Sequence, residues 1–303
     1  VSSSPRQDPY SSSLLAGSRV LITGGGSGLG LAIAGSIVAH GGSVLLWGRR
    51  PAVLAEAVSG LEAVRAGSAA SDVVDVRDAE AVEHAVSRAF DSAPVTGLVN
   101  GAAANFIAPT ESLSSRAFQA VTSTVMNGSF FTTHALAKRW IASGSGGSVV
   151  SLLTTWVDTG SAFVVPSAMA KAAVNAMTMS LAVEWARFGI RLNAVASGPI
   201  PTDFAWDVLD PGSSDVVGAT DVRGIPAGRH GTPVELANLA MFLLSDACDF
   251  LTGETVAMDG GQRLAGPGTF AGLTALAPDD WSAIRARAKA AAAATKAAQT
   301  PSP

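Results

Sequence analysis

Cysteine is nearly missing from this chain: Cys248 stands alone in 303 residues. An internal disulfide framework is excluded, and a reducing, cytoplasmic setting is the expectation. Histidine is scarce too. His40, His84, His134 and His230 are dispersed and no Cys/His pair has zinc-ligand spacing, so each reads as a surface or packing residue and no metal is expected. Charged residues make up 15% with a net charge of -4, and no local cluster of lysines and arginines offsets it, which argues against a nucleic acid partner. Every apolar run is interrupted by Gly, Ser or charge before it is long enough to cross a bilayer, and residues 1–13 are polar and Ser-rich. A soluble protein with a disordered leader and no membrane partner is expected. The one tyrosine, Tyr10, falls in that leader.

Hydrophobic residues reach 48%, enough for a substantial core. Strand-like and helix-like stretches alternate along the chain. Strands are expected at Arg19–Thr23, Ser43–Trp47, Asp72–Asp75, Thr96–Asn100, Val149–Leu153, Ile190–Val195 and Glu254–Ala257. Helices are expected at Gly28–His40, from Pro51, and at Asp78–Phe90, Ser114–Ile141, Pro166–Phe188 and Pro233–Ser245. The rhythm implies an α/β fold, a doubly wound parallel sheet of Rossmann type, and no repeat or linker divides it: one domain over residues 14–265. The Pro/Gly/Asp-rich excursion 199–230 reads as a substrate lid. Asp279-Asp280 before Trp281 and the alanine-rich run that follows read as a C-terminal helix and tail over 266–303.

Two stretches carry chemistry. Thr23-Gly24-Gly25-Gly26-Ser27-Gly28-Leu29-Gly30 follows a strand and opens a helix, the context in which glycines admit a pyrophosphate to backbone N–H groups; the plainer reading is a tight turn. At the end of the second strand Arg49-Arg50 stand where an acid would meet a ribose 2′-hydroxyl. Two guanidinium groups suit a 2′-phosphate, hence NADP(H), although a solvated basic turn would read the same way. The second stretch is Ser148 to Ile200. Ser167 and Lys171 are four apart and share a helix face, which fits either a solvated pair or an ammonium placed beside a strand end.

Taken together, Thr23 to Gly30, Asp75-Val76, Asn100-Gly101-Ala102, Lys171 and Ser197-Gly198-Pro199-Ile200 resemble a short-chain dehydrogenase/reductase. Within that superfamily the chain is most similar to the 2,4-dienoyl-CoA reductases, on Ala102-Ala103-Ala104-Asn105-Phe106, Asn127-Gly128, Thr159-Gly160-Ser161, Phe163 to Ala168 and Ala182-Val183-Glu184-Trp185. The resemblance runs from about Leu15 into the tail. It implies cofactor contacts from Gly24, Ser27, Gly28, Leu29 and Gly30, adenine contacts from Asp75 and Val76, and Asn100, Gly101 and Ala102 beside the cofactor ribose. It further implies a nicotinamide-side loop of Gly198, Pro199, Ile200 and Thr202, substrate contacts from Asn105, Phe106, Asn127 and Ser167, and a homotetramer built through Ser114–Ile141 and Pro166–Phe188.

The superfamily tyrosine expected four residues before the lysine is Ser167 here, a departure that dienoyl-CoA reductases share. In their mitochondrial type a tyrosine stands where this chain has Trp156, working with an asparagine that matches Asn127. In the peroxisomal type an aspartate has the acid role, and no convincing match to it is found; Asp158 reads equally well as a turn residue. Hydride addition to a dienoyl thioester collects charge on the thioester oxygen, so donors aimed at that oxygen are the main need. Asn127 and Trp156 carry such N–H groups, Thr154 and Ser167 hydroxyls, Lys171 would hold the nicotinamide ribose, and a water would bring the proton. Trp156 reads equally as an apolar wall. Three functions follow: an NADPH-dependent 2,4-dienoyl-CoA reductase acting on acyl-CoA in unsaturated fatty acid β-oxidation, another short-chain reductase of an enoyl or carbonyl thioester, or a cofactor-binding scaffold that lost its acid with Trp156. A serine hydrolase on Ser167 and Lys171 would leave the glycine loop without purpose.

Overall fold

The structure, a computed structural model, describes residues 9–202, 222–266 and 279. Most of the expected lid, the helix at Trp281 and the first part of the leader lie outside them. Seven strands form one wholly parallel sheet in the order β3-β2-β1-β4-β5-β6-β7. They are β1 Arg19–Thr23, β2 Ser43–Gly48, β3 Ala69–Val73, β4 Gly97–Asn100, β5 Gly147–Thr154, β6 Ile190–Ser197 and β7 Thr255–Met258. A parallel sheet needs helices on both faces, so its central strands are apolar almost throughout: in β5, Ser148 to Leu153 are all buried.

On one face, α1 (Gly28–Ala39), α2 (Pro51–Val64) and α8 (Pro233–Leu244) pack Ile33, Ile37, Leu54 and Met241 against Ile22, Leu46 and Val150. On the other, α3 (Ala79–Ser92), α5 (Gly128–Ser143) and α7 (Val165–Trp185) pack Val86, Leu136 and Trp185 against Leu21, Leu98 and Leu192. Local signals set the helix ends. Asp78 accepts from the N–H groups of Glu80 and Ala81 at 3.0 Å, Thr232 and Glu235 close a capping box ahead of α8, and Gly144 ends α5 with φ 67°.

The expected strand at Asp72–Asp75 is displaced. β3 begins at Ala69 and ends at Val73, because pairing with Val44–Gly48 sets its register, while the apolar Val74 that suggested a later strand belongs to the exit turn. The long region expected at Ser114–Ile141 is two helices, α4 (Ser115–Thr122) and α5, joined by a π-helical turn, Ser123–Asn127. Strand order reverses between β1 and β4, which opens a crevice at the carboxyl ends of those strands, the usual place for a ligand in an open α/β sheet.

Candidate active site

Backbone builds the left side of that crevice. Gly24 and Gly28 take φ of 71° and 54°, and a Cβ on Gly30 would lie 2.6 Å from the Gly24 carbonyl oxygen, so the loop closes this tightly only with glycine there. Ser27 precedes α1 with its hydroxyl capping no helix N–H, so the N–H groups of the first turn face the crevice uncapped. Thr23 Oγ1 accepts from the N–H groups of Gly101 and Ala102, both at 3.1 Å, holding the β4 exit against the glycine loop. The chain after β6 returns to the same spot: a Cβ on Gly28 would sit 3.8 Å from Thr202 Cγ2. Gly198 and Pro199 are pinned through bonds with Met258 and Gly231, and Ile200 is buried.

The two arginines after β2 are exposed, and Arg50 donates to Ser27 Oγ at 3.4 Å, so a guanidinium reaches across the loop mouth. Asp75 lies nearby, gripped by Arg77 at 2.5 to 3.1 Å; that contact holds its carboxyl below the usual range, with a lesser push from the charge of Arg49. Val76 packs against the start of α5, so closely that a Cβ on Gly128 would lie 2.5 Å from its Cγ2. Asn100 is 3% exposed and its Nδ2 donates to Thr133 Oγ1 and Ser151 Oγ, tying β4 to α5 and β5. A glycine cradle, an uncapped helix start and a cation at its rim fit a dinucleotide phosphate.

Side chains build the other half. Lys171, on α7, is buried and donates from Nζ to the carbonyl oxygen of Leu152 on β5. Burial lowers its pKa to about 8. Ser167, one turn earlier, is buried too. Thr154 ends β5 opposite Ser197, and its hydroxyl is buried with no hydrogen-bond partner among the described residues. An orphan of that kind is costly unless a ligand satisfies it. Trp156 is half-buried and starts the one-turn helix α6 (Trp156–Thr159), which packs on α7. Asn127 closes the π-helical turn, a rare geometry that is concentrated at functional sites. Beneath lies a third apolar cluster of Val121, Val125, Leu153, Ala170 and Val174, with Phe106 against it; the Phe106 N–H is held by Asn105 Oδ1 at 2.9 Å.

Asp158 pairs with Arg263 of α9 (Gln262–Ala265) at 2.9 Å and is exposed. Tyr10 is remote from this edge. Its hydroxyl donates to Asn238 and its ring meets His40 at the far end of α1, about 18 Å along a twelve-residue helix from the glycine loop. Sequence reasoning passed over Arg77 and Arg263. The first had a signal in Asp75-x-Arg77; the second is 105 residues from Asp158 and had none. Among the described residues no group of three or more His, Cys, Asp or Glu could hold a metal, and no helix is long and apolar enough to cross a membrane.

A family model described as Enoyl-(Acyl carrier protein) reductase matches residues 24–263. A probable 2,4-dienoyl-CoA reductase, (3E)-enoyl-CoA-producing, of Caenorhabditis elegans is 39% identical over 250 residues, 82% of this chain and 81% of the relative. A probable 2,4-dienoyl-CoA reductase of Bacillus subtilis, (2E)-enoyl-CoA-producing, is 38% identical over 81% of this chain and 96% of its own length. Among solved structures, a gluconate 5-dehydrogenase of Burkholderia cenocepacia in complex with NADP and tartrate superposes with a TM-score of 0.75 at 29% identity, covering 82% of this chain and 96% of that one.

Proposed function

The chain belongs to the short-chain dehydrogenase/reductase family, and on that premise we propose that it is an NADPH-dependent reductase of 2,4-dienoyl-CoA thioesters serving the β-oxidation of unsaturated fatty acids. One observation carries the reading. Around Lys171 this edge offers hydroxyls and N–H groups, on Ser167, Thr154, Asn127 and Trp156, and no tyrosine. A carbonyl reductase must protonate an alkoxide as it forms, which calls for a titrating acid. Hydride addition to a conjugated thioester instead leaves charge delocalised onto the thioester oxygen, which fixed donors stabilise without surrendering a proton. This chemistry is the one the residues suit.

Bound, the nicotinamide supplies the hydride. Gly24, Ser27, Gly28, Leu29 and Gly30 hold its pyrophosphate, Asp75 and Val76 flank the adenine, and Arg49 with Arg50 meets a 2′-phosphate, which supports NADP(H) over NAD(H). Asn100, Gly101 and Ala102 line the ribose side, and Gly198, Pro199, Ile200 and Thr202 close over the nicotinamide end. Lys171 donates to the nicotinamide ribose while its bond to Leu152 fixes its reach. Asn127 and Trp156 donate to the thioester oxygen, Thr154 Oγ1 finds its partner there, and Ser167 holds substrate or the water that protonates carbon. Asn105 and Phe106 border the acyl group. The exposed apolar surface of α5 and α7, Phe130, Met179 and Val183, supports the helix-mediated homotetramer.

Identity does not choose the product, since relatives named for (3E) and for (2E) products match almost equally. Purified protein given NADPH and a 2,4-dienoyl-CoA should consume both. Tight NADPH binding without turnover would instead favour the scaffold.

A further inference from the structure

Phe163 is the one non-glycine residue with positive φ among the described residues, at 64°. That left-handed conformation is unfavourable for a bulky side chain and persists where the surroundings impose it, most often at sites that do something. Three residues earlier, where α6 ends, a positive φ of 65° falls to Gly160, the residue type that positive φ favours. Position 163 keeps an aromatic ring, yet does not bury it: Phe163 is 56% exposed. Packing among the described residues therefore does not account for the ring.

Its place does. Phe163 lies in the connection from β5 to α7, four residues before Ser167, and its carbonyl accepts the N–H of Ala108 at 2.9 Å. Ala108 belongs to the connection that follows β4, the one that carries Asn105 and Phe106. Strands β4 and β5 are neighbours, so this bond joins the two loops over the carboxyl edge between them. Ile107, 42% exposed, stands beside the bond on the other loop. Two apolar side chains thus border the same opening, next to buried Ser167 and above the cluster that takes Phe106.

We infer that Phe163 is a specificity-determining residue whose ring forms a ledge for the apolar acyl chain of the thioester beyond its reacting carbons. This rests on the acyl-CoA reading above. The strained backbone keeps the ring at the rim instead of letting it fold into the core, and the acyl chain covers the face that the protein leaves open.

The test uses Phe163→Gly, which accepts this backbone without strain, and Phe163→Asn, a polar residue that tolerates it. With 2,4-dienoyl-CoA substrates from hexadienoyl to dodecadienoyl, KM should be nearly unchanged for the shortest and rise about tenfold for the longest. The Kd for NADPH should hold, and the melting temperature should not fall, since Phe163→Gly relieves strained backbone. An unchanged KM at every length overturns the ledge, as does a rise equal at all lengths, which would put the ring on the CoA arm. Calorimetric titration with the saturated acyl-CoA series needs no turnover. If the wild-type protein reduces no dienoyl-CoA, the reaction assignment fails, but a loss of acyl-CoA affinity graded by chain length in Phe163→Gly still upholds the contact; an ungraded or absent loss overturns it.

Discussion

The two halves of the crevice are made of different material. On the β1–α1 side the decisive features are backbone: left-handed glycines, a carbonyl with no room for a Cβ, helix N–H groups left open. On the β5–α7 side they are side chains: a buried ammonium, an orphaned hydroxyl, an indole on a short helix, an amide on a π-helical turn. Backbone constraints accept one residue type. Side-chain constraints fix a place and leave the residue type more open, and here Ser167 and Trp156 occupy that edge.

The sharpest way to break this contrast is Gly30→Val, whose Cβ would meet the Gly24 oxygen at 2.6 Å. NADPH affinity should fall by about a hundredfold or more as the loop opens, by titration, and a tolerated valine would show that the backbone half is not rigid. Next is Lys171→Met, with kcat/KM expected to drop about a hundredfold. The same change should raise the melting temperature. A lysine whose pKa falls from 10.5 to about 8 on burial costs the fold about 3 kcal/mol at neutral pH. The sign is checked by pH: the folded chain releases this proton first, so the penalty is full below about pH 8 and is relieved as pH climbs toward 10.5, a rise in stability that Lys171→Met should lack. NADPH affinity in the wild type should weaken above about pH 8 as the ammonium is lost.

Arg49→Ala with Arg50→Ala should raise KM for NADPH by about 10- to 100-fold and leave NADH unaffected, the size of one or two charge-assisted hydrogen bonds. Equal losses for both nucleotides would remove the 2′-phosphate from the account. Trp156→Phe should lower kcat about tenfold if the indole N–H donates, and an unchanged rate would make the residue a wall. Trp156→Tyr should raise turnover, measured as kcat, if the site lacks only an acid. The smallest effect expected is from Asp158→Asn: its ion pair with Arg263 is exposed, so stability should change by less than about 1 kcal/mol and turnover by less than about twofold. A large loss of activity would bring Asp158 back as the acid.

The same contrast governs what could be read beforehand. Gly24 to Gly30 announces itself because steric exclusion leaves one residue type at its turning points, whereas the spacing of Ser167 and Lys171 fits a solvated pair as well, and only the family resemblance points to the lysine. β3 was expected late because an edge strand with half-exposed residues has only a weak alternation, and Val73-Val74 draws the eye past its true end. Phe163 gives no warning at all. Its conformation follows from two loops meeting between β4 and β5, a contact between residues 55 positions apart in the chain.

The π-helical turn at Ser123–Asn127 makes the helix one residue too long for its own ladder. Shortening it by a single residue would leave a smoother, more regular rod and mend the backbone pairing. It would also turn α4, and with it Val121, about 100° around the axis relative to Asn127 and to everything that α5 anchors. Val121 would then leave the apolar cluster it shares with Val125 and Leu153, so at this spot chain length specifies the packing beneath Asn127 as strictly as residue identity does.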